Sequence, residues 1–185
     1  MSEGKEKETM DIHNDVILIP WQESWHREFH LEKQCLIGIL QAHEHTVEIF
    51  HVGSTSVKGA ISKPIIDILL CPDESTSPEV IAAELEEFGY TNLGECGRPG
   101  RIFLSSGDKP GETFYIHVCH KDHQVARDQL LFQKILLTNS EILSKYCKLK
   151  TLLAACFPED RYLYRETKSA YVESVLSAYR MEKAE

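Results

Sequence analysis

The sequence predicts an α+β or α/β domain in which helices pack on a mixed sheet. Three observations carry this. The first is order: an amphipathic helical stretch, then strands with one helix among them, then helices to the end. The second is the run KPIIDILL at 63–70, almost continuously apolar, the pattern of a central strand covered on both faces. The third is size. A chain of 185 residues, 42% hydrophobic and 26% charged, can bury a core without disulfide or metal staples.

Taken in order, residues 12–20 (IHNDVILIP) read as an extended lead-in closed by Pro20. In WQESWHREFHLEKQCLIGILQAH, Trp25, Phe29, Leu36, Ile39 and Leu40 recur at helical spacing, so one stripe faces a core. TVEIFHVG at 46–53 is rich in β-branched residues and reads as a strand. Pro64 fits only at the beginning of the 63–70 strand, because proline donates no ladder hydrogen bond. Ser77 is placed to cap the helix PEVIAAELEEF, with Pro78 at its first position and Gly89 at its C-terminal end. TNLGECGRPG at 91–100 is a loop, and RIFLSS and TFYIHVC are strands joined by the hairpin connection GDKPGE. From Asp122 onward the pattern is helical, in three segments broken at Asn139 and Pro158. The domain plan is therefore a polar, disordered lead-in at 1–11 and one domain at 12–185, helical from about 122.

Composition excludes several classes of function. A formal net charge of −9 argues against binding nucleic acid or an anionic membrane, while leaving room for a local basic pocket that holds a small phosphate. No apolar run reaches the roughly 20 residues a membrane helix needs. The opening MSEGKEKETM has no apolar region of the secretory kind. Six cysteines at irregular spacing, with no C-x-x-C pair, predict reduced thiols in a cytoplasm.

The chemistry concentrates in HVGSTSVKGAISKPIIDILL, 51–70. Asp67 stands alone among apolar residues, and burying a carboxylate is costly unless it is paired, hydrogen-bonded or bound to a metal. The turn Gly53-Ser54-Thr55 offers close backbone approach, consecutive N–H groups and two hydroxyls, which suit a phosphate. Taken by itself the tripeptide reads first as an ordinary turn. A glycine–serine turn followed by a strand bearing an acid is the arrangement in which the turn holds phosphates and the acid holds a bridging Mg²⁺. Lys63 neutralises a phosphate or is solvated at the strand entrance. Arg98 and Arg101, flanking Pro99-Gly100, clamp a triphosphate or a carboxylate or are ordinary surface charge. His117, at a strand end, orients a phosphate, ligates metal, acts as acid or base, or is a hydrogen-bonded structural histidine. Zinc at His117, Cys119, His120 and His123 is disfavoured, since 117 and 119 share a strand face and 120 points away. Lys150 and Lys168 are ligand contacts or solvated helix residues in equal measure. Tyr164 and Tyr171 share a helix face as core-edge packing, and no base is positioned by sequence to make Ser54 a nucleophile.

These residues resemble the signature of the GrpB family, whose fold is similar to that of nucleotidyltransferases. The match runs through His51, Gly53, Ser54, Thr55, Val57, Gly59, Lys63, Pro64 and Asp67. It continues in GECGRPGRIFL with Arg101 and Phe103, in TFYIHV with His117, in YCKLK at 146–150 and in YRETKSAYV at 164–172. The resemblance implies a nucleotidyltransferase-like mixed sheet flanked by helices, with a C-terminal helical segment. It implies Mg²⁺-dependent binding of a nucleotide or phosphorylated small molecule, with transfer of a nucleotidyl or phosphoryl group to a small acceptor. Asp67 then holds the metal and acts with His117 in catalysis, while Gly53, Ser54, Thr55, Lys63 and Arg101 hold phosphate or nucleotide. The alternative is a ligand-binding module that has lost transfer chemistry, and a further one is an accessory role in coenzyme A metabolism. Leu69 occupies the place where active nucleotidyltransferases carry a second acid. Phe114 and Tyr115, and Gln133-Lys134, also depart from the family's usual residues.

Overall fold

The alternation of side chains along one strand separates the molecule into layers. The computed structural model describes residues 16–107 and 113–182, so the 1–11 lead-in lies outside the described residues. The strand is β4 (Ile65–Pro72). Ile66, Ile68 and Leu70 point to one face and join Trp25, Phe29, Leu36 and Leu40 of α1 (Ser24–Ala42) and Ile81 and Leu85 of α2 (Pro78–Glu87). Leu69 and Cys71 point to the other and join Cys119 with Val125 and Ala126 of α3 (Gln124–Thr138). Asp67 shares this second face.

The remaining strands are β1 (Ile19–Pro20), β2 (Val47–Val52), β3 (Ile61–Ser62), β5 (Thr91–Asn92), β6 (Ile102–Ser106) and β7 (Thr113–Val118). Five of the seven form one sheet in the order β2-β4-β7-β6-β5, while β1 pairs with β3 separately. The β4–β7 pair is parallel and the others in the large sheet are antiparallel. The predicted central, doubly covered strand is thus β4. It begins at Ile65 and ends at Pro72, two residues later than the apolar run suggested. Lys63 and Pro64 precede it, as a residue without an N–H should.

The glycine turn and the acid strand are sheet neighbours, with Val52 directly opposite Asp67. Between them, Ser54–Ser56 form one 3-10 turn and β3 pairs with β1, structure that the reading as a plain polar link did not anticipate. Residues 91–92, read as loop, make the short edge strand β5 against β6. The helical tail comprises α3, α4 (Ser140–Cys156) and α5 (Arg161–Glu182), broken near Asn139 and Pro158 as expected. Its apolar residues clamp the glycine turn: Val57 and Ala60 pack with Leu136, Tyr146 and Tyr171. Most of the predicted GDKPGE connection, 108–112, lies outside the described residues, but β6 and β7 pair antiparallel on either side of it.

Candidate functional site

Gly53 brings the turn against the acid. Its backbone has φ of +70°, and a Cβ there would meet the Asp67 carboxylate oxygen Oδ2 at 2.4 Å. The glycine therefore serves the approach of Asp67 before that of any ligand. The Asp67 side chain keeps 32% exposure, which places it at an opening and not in the apolar core.

Behind Asp67 stands a chain of polar contacts. The Arg101 guanidinium donates through Nη1 to His117 Nδ1 at 3.1 Å. Arginine has donors only, so Nδ1 is an acceptor and the ring proton sits on Nε2. Nε2 then donates to Asp67 Oδ1, at 3.4 Å. Burial, followed by the charges of Arg101 and Arg98, holds His117 below its ordinary value despite Asp67, so the imidazole is neutral near pH 7. Burial opposes the charge on Asp67. The hydrogen bond from His117 and the charges of Lys168 and Lys63 outweigh it and hold the carboxyl below its usual range. A carboxylate so placed is a ligand or a charge partner, not a base at neutral pH.

Lysines surround this acid. Lys63 lies over the Tyr164 ring at 5.4 Å, and Lys168 lies over it at 5.9 Å. Lys150 is 3% exposed. It donates to Ser54 Oγ at 2.9 Å and to the Ile61 carbonyl oxygen. The Tyr146 ring lies 5.1 Å from its Nζ. Three lysines thus gather round one carboxylate in a chain whose net charge is −9.

The donors suit a single metal ion at most. Mg²⁺ takes octahedral oxygen ligands. Leu69, in the second-acid position, is 0% exposed and packed with Val52 and Cys71, so no carboxylate can replace it without losing that core. Among the described residues no three His, Cys, Asp or Glu side chains gather as a metal site. The residues fit an ion held by Asp67 and completed by phosphate oxygens and water, not a two-ion centre.

The sequence profile of the GrpB protein family matches residues 15–178. The chain belongs to the GrpB family. This GrpB chain is 31% identical to the glutamate-rich protein GrpB of Alkalihalophilus pseudofirmus, over 88% of its own length and 95% of that protein's. It is 33% identical to a UPF0157 protein of Pseudomonas aeruginosa, over 87% of its own length and 66% of the relative's. Among solved structures, GrpB of Enterococcus faecalis superposes with a TM-score of 0.73 at 30% identity, covering 88% of this chain and 99% of that one. A weaker likeness is to the Cid1 poly(U) polymerase with MgGTP bound, with a TM-score of 0.49 at 17% identity over 74% of this chain and 43% of the other.

Within the GrpB fold, Gly53, Ser54, Lys63, Asp67, Arg101 and His117 come together although 64 positions separate the first from the last. Two of the expected contacts change role. Thr55 is 0% exposed, and its hydroxyl bonds His51 Nε2 at 3.1 Å, so its side chain ties the turn to β2. Arg101 is 5% exposed, with Nη2 donated to the Glu95 carbonyl at 2.7 Å. It positions His117 from behind, because the loop folds its guanidinium inward. His123 bonds the Val125 amide as the cap of α3, away from the zinc grouping considered for it.

Lys150 and Lys168 belong to the site more firmly than the sequence reading allowed. The signal was present: Tyr146, Lys150 and Leu153 fall on one helical stripe and are all buried, so the lysine sits at a core position. Gln133 was noted as a departure without a role. Its amide donates to the His51 carbonyl at 2.6 Å and to Ser56 Oγ at 2.8 Å, fastening α3 to the glycine turn. The Arg161 guanidinium donates to the Tyr115 hydroxyl at 2.7 Å, joining α5 to the strand beside Asp67.

Proposed function

We propose that this site binds a phosphorylated small molecule, a nucleotide first among them, with Mg²⁺ carried in on the phosphates. The observation that supports it is the partly exposed Asp67 beside the Gly53–Ser54 turn, ringed by Lys63, Lys150 and Lys168. Lysines of this kind complement a polyanion, and one carboxylate gives a phosphate-bound cation its protein ligand. In this reading Ser54 and the turn hold phosphate, the lysines neutralise it, and Asp67 takes one position on the ion. His117, fixed by Arg101, keeps Asp67 aimed at it. The catalytic form of the reading is transfer of a nucleotidyl or phosphoryl group to a small acceptor, in the manner of nucleotidyltransferase-like proteins. All six cysteines are unpaired, in keeping with a cytoplasmic setting.

Leu69 favours a second reading, a binding module without transfer. With one acid the pocket can orient a ligand but lacks the paired ions that stabilise attacking and leaving oxygens together.

A thermal-shift screen of nucleotides and coenzyme A precursors, with and without Mg²⁺, tests the common core of both. A ligand at 100 times its dissociation constant adds about 2.7 kcal/mol, or roughly 5–10 °C in Tm for a chain of this size. Asp67→Asn should remove the Mg²⁺-dependent part of the shift. No shift with any phosphorylated compound would overturn the proposal. Binding without turnover of any nucleotide in the presence of small acceptors would select the module.

A further inference from the structure

Lys150 is a buried amine whose hydrogen-bond partners carry no charge. Nζ donates to the Ser54 hydroxyl and the Ile61 carbonyl, and the Tyr146 ring covers it. Among the described residues no carboxylate forms an ion pair with it. Asp67 on β4 is the acid it senses, and that carboxylate accepts from His117 and is also acted on by Lys63 and Lys168.

We propose that Lys150, Ser54 and Tyr146 form a terminal-phosphate subsite that takes up its anion together with a proton, Lys150 being neutral when the subsite is empty and an ammonium when it is filled. This rests on the phosphate-binding reading above and adds to it the charge state in which the pocket waits.

An ammonium removed from water without a counter-charge sheds its proton in preference to remaining charged. Burial does most of this at Lys150. The charges of Lys168 on α5 and Lys63 before β4 add to it, against Cys147 on its own helix and Asp67, and the balance falls at about 7. The hydrogen bonds are consistent with the neutral form. An amine has two N–H donors and one lone pair. Its two N–H groups reach the Ile61 carbonyl and Ser54 Oγ, which leaves the lone pair without a donor among the described residues. When a phosphate arrives, solvent supplies one proton to the nitrogen. The ammonium then holds the Ile61 carbonyl, the Ser54 oxygen and a phosphate oxygen, and the Ser54 hydroxyl turns its own proton to the phosphate. Tyr146, hydrogen-bonded to Ser54 and held un-ionised by burial, remains neutral throughout. Burial lowers Lys168 as well, with Asp67 acting against that shift and Arg98, Arg161 and Arg165 adding to it.

The consequence is a pocket tuned to a terminal phosphate dianion. Its affinity should fall by about tenfold per pH unit above neutrality and fall again below about pH 6, where the terminal phosphate is itself protonated. Isothermal titration of the full chain with tripolyphosphate and with ATP, in buffers of different ionisation enthalpy, counts the protons. Wild type should take up close to one proton per ligand at pH 8 to 9, and this uptake should give way to net release at pH 6, where Lys150 is already an ammonium and the terminal phosphate gives up its own proton on binding. Equal uptake with the two ligands places the effect at the terminal phosphates they share; uptake with ATP alone would overturn the assignment to that subsite. Lys150→Arg cannot lose its charge, so it should bind with no uptake and a flat pH dependence. Should that variant fail to fold, NMR of the lysine side-chain methylenes in wild type gives the same answer: the Lys150 titration near 7 should move above 9 with ligand. Binding by wild type with no proton uptake, or an unchanged uptake in Lys150→Arg, would overturn this inference and leave the phosphate-binding reading standing. Absence of binding by both ligands would overturn the two together.

Discussion

Gly53 leaves no room for a side chain. Its positive φ and the 2.4 Å approach of Asp67 Oδ2 to a would-be Cβ act together. Gly53→Ala should lower stability by about 2–3 kcal/mol and displace the carboxylate. Urea unfolding reads the first effect, and loss of the nucleotide-induced Tm shift reads the second; a variant as stable as wild type would show that the turn is free to move. Asp67 itself illustrates how a partner changes a prediction. A lone buried carboxylate would fold better as an amide, because its desolvation cost would vanish. In the structure it accepts from His117 and balances Lys63 and Lys168. Asp67→Asn should therefore cost stability, by about 1 kcal/mol in chelator, and the loss should shrink in high salt as the lysines are screened. A more stable amide variant would mean that the charge burdens the fold.

At the scale of elements, the helical tail is what closes the site. α3 fastens the turn through Gln133, α4 supplies Lys150, and α5 supplies Lys168 and Arg161. The α3–α4 junction depends on one residue. Asn139 ends α3, and its side chain caps α4 by accepting from the Ile142 amide at 3.0 Å. Asn139→Ala should cost about 1 kcal/mol. Ser77→Ala should cost less, since the corresponding contact to Val80 is 3.4 Å long and exposed. Parallel denaturant titrations of the two variants check the order. The reverse ranking would show that α4 is held by packing alone.

Across the whole molecule, acid should unfold the protein through its histidines. His51 is pushed down to about 4, by burial first and by His26 next, and His117 is also held low. Both are neutral in the fold and charge more readily when unfolded. Their contribution is complete above about pH 6.5 and is lost as pH falls toward 4, worth about 3 kcal/mol for His51 alone. Urea midpoints at pH 7 and pH 4.5 measure this, and His51→Gln should flatten the difference. A midpoint that does not move between the two would refute the assignment.

Much of this was legible in the residues themselves. β-branched residues, a continuous apolar run and a glycine–proline turn marked β2, β4, and β6 with β7, and the Ser77, Pro78 and Gly89 signals bounded α2, because these patterns reflect local geometry that tertiary contacts reinforced. The isolation of Asp67 among apolar neighbours marked the site, since an unexplained charge in a covered strand demands a reason. Two-residue strands such as β3 and β5 were not legible, as they exist only through their partners. Nor was the division of labour among the polar groups. Whether Thr55 and Arg101 meet a ligand or hold the frame, and whether Lys150 is solvated or enclosed, depends on which helix lies over the turn and how the 94–101 loop folds back. Those are long-range contacts between segments some 96 positions apart, as between Ser54 and Lys150. Local sequence sets which groups are available, but only tertiary packing sets their desolvation and partners, and hence their charge.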